Sequence, residues 1–289
     1  MRTYASRVRQ PSSPPRKRPL QDLSTNTPAK RPKHNPKPKP LTQLHLSLAL
    51  TTLRTCSLCS LSYTQGAPDD ESLHRSHCAR VQRGMEWRKD DERAPAKTRE
   101  VQGGLKLKNG ARGRIVCFSA DVAGKLGAKL ATLLDTINVS LSAPPLPPSV
   151  LRDSKVYLFL LPCPSKSTAA TREKIVGCVL AQRISTAMAV AAPAPPSPTH
   201  ISLPLTPSTS LLIHPAPLPT PLGIPRLFVP TSHRRLGIAS HLLTAAATTF
   251  VHGCALDPRK GEVAFTQPTG DGAGVMAAWG GGGVRIYEE

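Results

Sequence analysis

The sequence predicts an α/β or α+β sheet domain, with a small metal-binding finger ahead of it and a disordered basic tail before that. Three observations predict this. From Ile115 onward, strand-like apolar runs alternate with amphipathic helical stretches, the pattern of a sheet covered by helices. Between residues 54 and 80, cysteines and histidines recur at metal-ligand spacing. Elsewhere proline is abundant (31 of 289 residues) and aromatic residues are few (4%), so those stretches bury too little apolar surface to offset the entropy of ordering.

The net charge of +20 points to an acidic partner, nucleic acid first. Residues 1–40 hold eleven Lys/Arg and one acid, Asp22, so this tail carries about half of the excess. Lys17-Arg18 and Lys30-Arg31-Pro32-Lys33, eleven residues apart, have the spacing of a bipartite nuclear localisation signal, and a nuclear protein is expected. No run of eighteen apolar residues suggests a membrane span, and the N-terminus lacks the apolar core of a secretory signal. The seven cysteines are therefore expected in a reducing compartment, where metal binding is favoured over disulfides.

After the tail, residues 41–50 partly alternate apolar and polar side chains and open a segment, 41–80, that ends in the Cys/His cluster. Residues 81–111 are polar, basic and glycine-containing and read as a linker. The main domain spans 112–289. In it, Asp121 to Ile137 places Val122, Leu126, Leu130 and Leu133/Leu134 on one helical face. Lys155 to Leu161 and Lys174 to Gln182 read as strands. Residues 184–225 contain no Lys, Arg, Asp or Glu and eleven prolines, which reads as an inserted low-complexity loop, set at 184–222. Arg226 to Val229 is a strand. Gly237 to His252 is a helix with Ile238, Leu242, Ala246 and Phe250 on one face. Glu262 to Thr266 and Val284 to Tyr287 are the last two strands, the second weakened by the run Gly280 to Gly283.

Cys56-x2-Cys59 places two thiolates on one tight turn, and His74 and His77 follow one helical turn apart. This is zinc-site spacing. The fourth ligand is Cys78, at His74-x3-Cys78, or alternatively His77. One finger covers about three base pairs at most, which favours a structural or partner-docking module over a sequence reader.

The segment Arg234-Arg235-Leu236-Gly237-Ile238-Ala239 joins the strand to the next helix. It fits Arg/Gln-x-x-Gly-x-Gly/Ala, the pyrophosphate loop of the GNAT acetyltransferase superfamily. Small residues at 237 and 239 let the backbone approach a phosphate, the unpaired amides of the helix start point at the anion, and the arginines add positive charge.

Several pieces, in order, resemble the sister-chromatid cohesion N-acetyltransferases, the cohesin acetyltransferase family. They are Cys56-Ser-Leu-Cys59-Ser-Leu-Ser-Tyr63 with Pro68-Asp69-Asp70-Glu71-x-x-His74; Gly84-Met85-Glu86-Trp87; Lys155-Val-Tyr157-Leu-Phe; Ile175-Val-Gly177-Cys178; Gly223-Ile-Pro-Arg226-Leu-Phe228-Val229 with the glycine loop; and Ala264-Phe265-Thr266-Gln267-Pro268-Thr269. The resemblance implies a GNAT-like mixed sheet and acetyl-CoA-dependent transfer to a lysine of the cohesin ATPase head during DNA replication, on chromatin. It implies cofactor contacts at Leu227, Phe228 and Val229, at Arg235, Leu236, Gly237, Ile238, Ala239 and Ser240, and at Thr269, Gly270 and Asp271. Gln43-x-x-Leu46 resembles part of the motif that binds the replication sliding clamp, without its aromatic pair. The family's second finger histidine aligns with Cys78, and Gln267 stands where animal members have an acid.

The transfer needs a proton acceptor for the substrate amine, and Gln267 cannot serve. Asp271 and Glu262 are the remaining acids near the closing signature. An acetyl relay through Cys178 or Cys254 is disfavoured by their apolar contexts. The Gln267 and glycine-run departures also motivate an alternative, a catalytically weak zinc-finger chromatin adaptor.

Overall fold

The computed structural model describes residues 52–88, 98–163, 172–191, 201–206 and 209–288. The basic tail, its two clusters and the segment with Gln43 and Leu46 lie outside the described residues, so the localisation and clamp readings stay with the sequence.

The finger is a hairpin followed by a helix. Strands β1 (Leu53–Thr55) and β2 (Ser62–Thr64) pair antiparallel, with Arg54 opposite Tyr63. Helix α1 (Pro68–Arg83) has Pro68 in its first turn with Asp69, Asp70 and Glu71, and Arg80 and Arg83 in its last. That order of charge complements the helix dipole at both ends. The helix stops at Gly84 (φ 77°), where a Cβ would collide with the carbonyl oxygen of Ile175. Glycine is therefore what lets β3 (Met85–Trp87) swing directly onto the main sheet.

That sheet runs in the order β4 (Arg99–Lys106), β5 (Arg112–Ser119), β6 (Ser154–Cys163), β7 (Arg172–Arg183), β11 (Leu222–Phe228), β12 (Val263–Phe265), β13 (Arg285–Ile286), β8 (Thr186–Val190), β10 (Thr209–Pro219), β9 (Ile201–Thr206). The β11, β12 and β13 pairings are parallel and the others antiparallel, which makes the sheet mixed, as expected. Strand β3 pairs with the first part of β7, Met85 opposite Ile175. Ile175 also faces Leu160 of β6, so β3 lies on the side of β7 that β11 occupies further along.

Helices cover both faces. On one, α2 (Gly124–Leu141) lays Leu126, Leu130 and Ile137 over Val116, Leu158 and Phe228, with Trp87 of β3 in the same cluster. The short α3 (Pro148–Arg152) follows it. On the other face, α4 (Ile238–Thr249) and α5 (Gly270–Gly280) cover Tyr157, Phe159 and Val179. Gly177 lets α4 approach β7, since a Cβ there would meet Ile238 Cγ2 at 2.5 Å and Leu242 Cδ1 at 2.8 Å. Strand β6 is buried on both faces from Val156 to Leu160, which explains its unbroken apolar run.

Two sequence readings change, and one helix appears where none is read from the sequence. The described parts of the expected linker 81–111 hold the end of α1, β3 and β4, while residues 89–97 lie outside the described ones. Strand β4 is a sheet edge, so its outer face stays charged, and Leu105 and Leu107 are its buried anchors. The segment 184–222 is not one loop, because β8, β9 and β10 lie in it. Prolines are tolerated at that end of the sheet, where Ile213 is buried and Leu203 and Leu211 pack against the core. Residues 192–200 of the segment lie outside the described ones. Finally, Gly270–Gly280 is helical despite its glycines, held by Thr269, whose Oγ1 accepts the Gly272 amide at 3.3 Å, and by burial of Met276. The following strand, β13, is reduced to two residues.

Trp87 is 1% exposed, stacks on Phe118 and ties the finger's exit strand into the core under α2. Trp87→Ala is expected to lower stability by about 3–5 kcal/mol, read from urea unfolding of the full chain.

Candidate functional site: a cofactor loop joined to a zinc finger

In the finger, Sγ of Cys56, Cys59 and Cys78 and a ring nitrogen of His74 all lie within 4.8 Å of one another. Cys56 Sγ and Cys78 Sγ are 4.0 Å apart. Zinc–thiolate bonds of ~2.3 Å in a tetrahedron put two sulfurs about 3.8 Å apart, so the spacing fits zinc. The Nε2 atoms of both His74 and His77 are buried with no hydrogen-bond partner among the described residues, so it is the cluster geometry that singles out His74, on whose ring Tyr63 stacks at 4.1 Å. Gln82 Nε2 donates to Cys78 Sγ at 3.0 Å, an outer contact that orients this thiolate. The Leu58 amide at the CxxC turn draws the Cys56 thiol down to about 6, while burial pushes Cys59 up to about 11. Zinc has to displace the proton from Cys59.

The structure gathers Cys78 and not His77. The His77 ring is buried outside the cluster, and burial lowers its pKa, so it is a neutral core histidine.

The second feature begins in β11. Between Gly223, opposite Gln182, and Arg226, opposite Leu180, the strand carries one extra residue, a β-bulge. Pro225, which has no N–H to give a ladder, sits in it. On the other side, β11 pairs with β12 only from Leu222 to Ile224. Beyond Ile224 opposite Phe265 the two parallel strands part. Leu227 and Val229 then pack toward the α4 face and Phe228 toward the α2 face.

From this fork the chain makes a 3-10 turn at Thr231–His233 and reaches Gly237 (φ 92°), the N-cap of α4, with Arg235 also at positive φ (64°). No side chain caps α4, so its first amides remain open to an anion. A Cβ at Gly237 would find nothing nearer than His241 Cδ2 at 4.0 Å, so backbone conformation rather than space demands glycine. The Lys108 amide donates to Leu236 O at 3.3 Å and braces the loop from the β4–β5 turn.

Arg234 Nη1 lies 2.8 Å from Asp271 Oδ2, on the first turn of α5. This pair draws the N-termini of α4 and α5 together. The loop after β11 and the start of α5 are thus in contact through Arg234 and Asp271. The finger reaches the same region: Ser232 Oγ donates to Gln82 O at 2.6 Å, and Arg80 Nε donates to Thr136 Oγ1 on α2 at 2.9 Å.

The acids fall differently. Asp271 lies in this region but is engaged by Arg234. Glu262 precedes β12 at the end opposite Thr266, and its Oε2 accepts the Asp257 amide at 2.6 Å, so it braces a turn. Gln267 Nε2 donates to Pro204 O in β9 at 2.7 Å. Cys178 is 1% exposed with its thiol pushed up to about 12 by burial, as its apolar context suggested, whereas Cys254 lies exposed after α4 and corrects the expectation of a second buried thiol. Sequence reading missed the bulge, the Arg234–Asp271 pair and the Ser232–Gln82 contact. Only the first left a signal, a proline inside an apolar strand.

Comparison with known proteins follows this geometry. Residues 219–287 match the family described as ESCO1/2 acetyl-transferase, and residues 43–80 match the zinc-finger of acetyl-transferase ESCO. N-acetyltransferase ECO1 of Yarrowia lipolytica is 28% identical over 253 residues, covering 88% of this chain and 76% of that protein. N-acetyltransferase eso1 of Schizosaccharomyces pombe is 30% identical over 83% of this chain, and human ESCO2 is 27% identical over 75%. The chain spans 24% and 32% of the lengths of those two. The xEco2 acetyltransferase domain, 25% identical, superimposes with a TM-score of 0.50 over 67% of this chain and 97% of its own. A second structure of that domain, bound to a K105-CoA conjugate, gives 24% identity and a TM-score of 0.51 over 67% of this chain and 98% of its own.

Fold, loop and finger together define the class: an acetyltransferase with a zinc finger joined to its sheet. The chain carries matches to both the ESCO acetyltransferase and the ESCO zinc-finger domains, and the relatives it resembles are Eco1/ESCO N-acetyltransferases.

Two outcomes are expected. Cys78→Ala should lower bound zinc well below one per chain by atomic absorption, while His77→Ala keeps it. Iodoacetamide at pH 8 should label Cys254 and leave Cys178 unmodified by peptide mass mapping, because a thiol near 12 presents almost no thiolate there.

Proposed function

We propose that this protein transfers the acetyl group of acetyl-CoA to a lysine of the cohesin ATPase head and so establishes sister-chromatid cohesion during DNA replication in the nucleus. The observation that carries the proposal is the uncapped α4 N-terminus behind Gly237, at the fork where β11 and β12 separate.

In this reading the amides of Gly237, Ile238, Ala239 and Ser240 hold the pyrophosphate, with the positive end of α4 and Arg235 beside it. Arg234 adds charge and is held in place by Asp271, so Asp271 acts by positioning, and Thr269 and Gly270 complete the wall at the start of α5. The freed edge of β11, Leu227 to Val229, aligns the pantetheine arm as an added strand would and offers backbone amides to the oxygen that becomes negative. Bound acetyl-CoA supplies a thioester-activated acetyl group. The neutral lysine amine attacks its carbonyl carbon, the C–N bond forms as the C–S bond breaks, and the departing thiolate takes up the proton released by the amine. Zinc on Cys56, Cys59, His74 and Cys78 has a structural role, because four protein ligands leave no open position for chemistry. The basic tail serves nuclear import, and Gln43 and Leu46 contact the replication sliding clamp.

A second reading, a chromatin adaptor with weak catalysis, is favoured by the engagement of Gln267 with Pro204, which leaves an amide where relatives carry an acid. Mass spectrometry on purified cohesin heads separates the two. The enzymatic reading expects acetyl-CoA-dependent acetylation by the wild-type chain and a drop of about 100-fold or more for Gly237→Asp, which combines backbone strain with a negative charge facing phosphate. No acetylation by the wild type would favour the adaptor.

A further inference from the structure

Arg226 is 4% exposed, among the most buried polar side chains described. Burying an arginine is costly unless its donors are matched, so the acceptors that hold it show what the residue is for. Nε donates to Asn138 Oδ1 at 3.0 Å, Nη2 to Pro144 O at 2.8 Å, and Nη1 to Pro225 O at 2.8 Å. The first lies on the last turns of α2, the second in the loop after it, and the third in the β11 bulge. The helix brings the negative end of its dipole to the guanidinium, and Ser142 (φ 51°) closes it just beyond Asn138.

The Pro225 carbonyl has a second donor. Thr266 Oγ1, on the residue that follows β12, donates to it at 3.1 Å. The Thr266 amide also reaches Ile224 O at 3.4 Å, the last backbone bond before the strands part. One carbonyl at the apex of the fork is therefore held by the neighbouring Arg226 of the same strand, whose guanidinium is anchored on α2 and the loop after it, and by Thr266 from the departing strand.

We infer that Arg226 and Thr266 form a clamp on the Pro225 carbonyl that sets how far β11 and β12 open. Both are positioning residues for the acetyl-transfer site and act through the backbone of the bulge. This rests on the reading of the fork as the acetyl-CoA slot. The bulge needs such a clamp because Pro225 cannot donate a ladder bond, so the apex is fixed by what its carbonyl accepts. Arginine suits the task where lysine does not, since a planar guanidinium reaches three acceptors in fixed directions. Atoms beyond the apex inherit its position, and a displacement of about 1 Å at a reacting group costs on the order of 100-fold in rate.

The test uses the full zinc-loaded chain and three variants: Thr266→Val, which keeps the shape and removes the hydroxyl, Thr266→Ser, which restores it, and Arg226→Lys. Acetyl-CoA binding is measured by calorimetry and turnover on cohesin heads by mass spectrometry. Thr266→Val is expected to raise the acetyl-CoA Kd about tenfold and to lower kcat at least as much, with the acceptor KM unchanged. Thr266→Ser should return both to within about twofold of wild type. Arg226→Lys, where it folds, should match or exceed the valine variant. Wild-type Kd and kcat in Thr266→Val, or a defect that serine does not relieve, would overturn the clamp. A wild-type chain that binds no acetyl-CoA would instead sink the cofactor reading.

Discussion

The parting of two parallel strands governs this molecule. While β11 and β12 stay paired, from Leu222 to Ile224, their backbone groups satisfy one another. Once they separate, β11 has an edge without a strand partner in the middle of a sheet, where a ligand can add itself. Everything past that point sits on the geometry of the fork. The bulge at Pro225 starts it, the 3-10 turn carries the chain round, Gly237 takes the left-handed conformation that opens α4, and Arg234 reaches across to α5.

The finger is part of this construction rather than an appendage. Its helix ends on a glycine that clears Ile175, its exit strand joins β7 beside the end of β11, and its Gln82 carbonyl receives Ser232 just ahead of the cofactor loop. Gln82 also contacts the Cys78 thiolate with its side chain. The short finger buries few apolar side chains of its own, and it meets the loop segment through the Ser232–Gln82 contact. Three of the large apolar side chains left exposed, Leu53, Leu58 and Leu73, belong to the finger, in keeping with a module held together by its ligands more than by a core.

Legibility in the sequence followed the range of the interactions. The strands at 155–161 and 174–182 and the helix on Ile238, Leu242 and Ala246 were readable because periodicity is local and burial matched it. The edge strands β4 and β9 were hidden, since an edge needs no apolar alternation on its outer face and tolerates proline, and β8 and β10 were hidden within a proline-rich run without charges. Helix α5 was hidden by its glycines, whose low propensity is overridden by a threonine cap and by packing, including Trp279 Nε1 donating to Thr244 Oγ1 of α4 at 3.0 Å.

The sequence by itself determined the parts whose chemistry is local: a CxxC turn followed by His74 and Cys78 at ligand spacing, a glycine between arginines and a helix, and the order of these along the chain. Tertiary structure decided what depends on distant segments meeting. It chose Cys78 over His77, because only one of two neighbouring side chains on α1 points at the paired thiolates. It drew Asp271 to Arg234 and set Glu262 to bracing a turn at the far end of β12. It buried Arg226 against α2 and the bulge, a role no spacing rule could assign, since acceptors on residues 138, 144 and 225 meet only when the sheet and helix have packed.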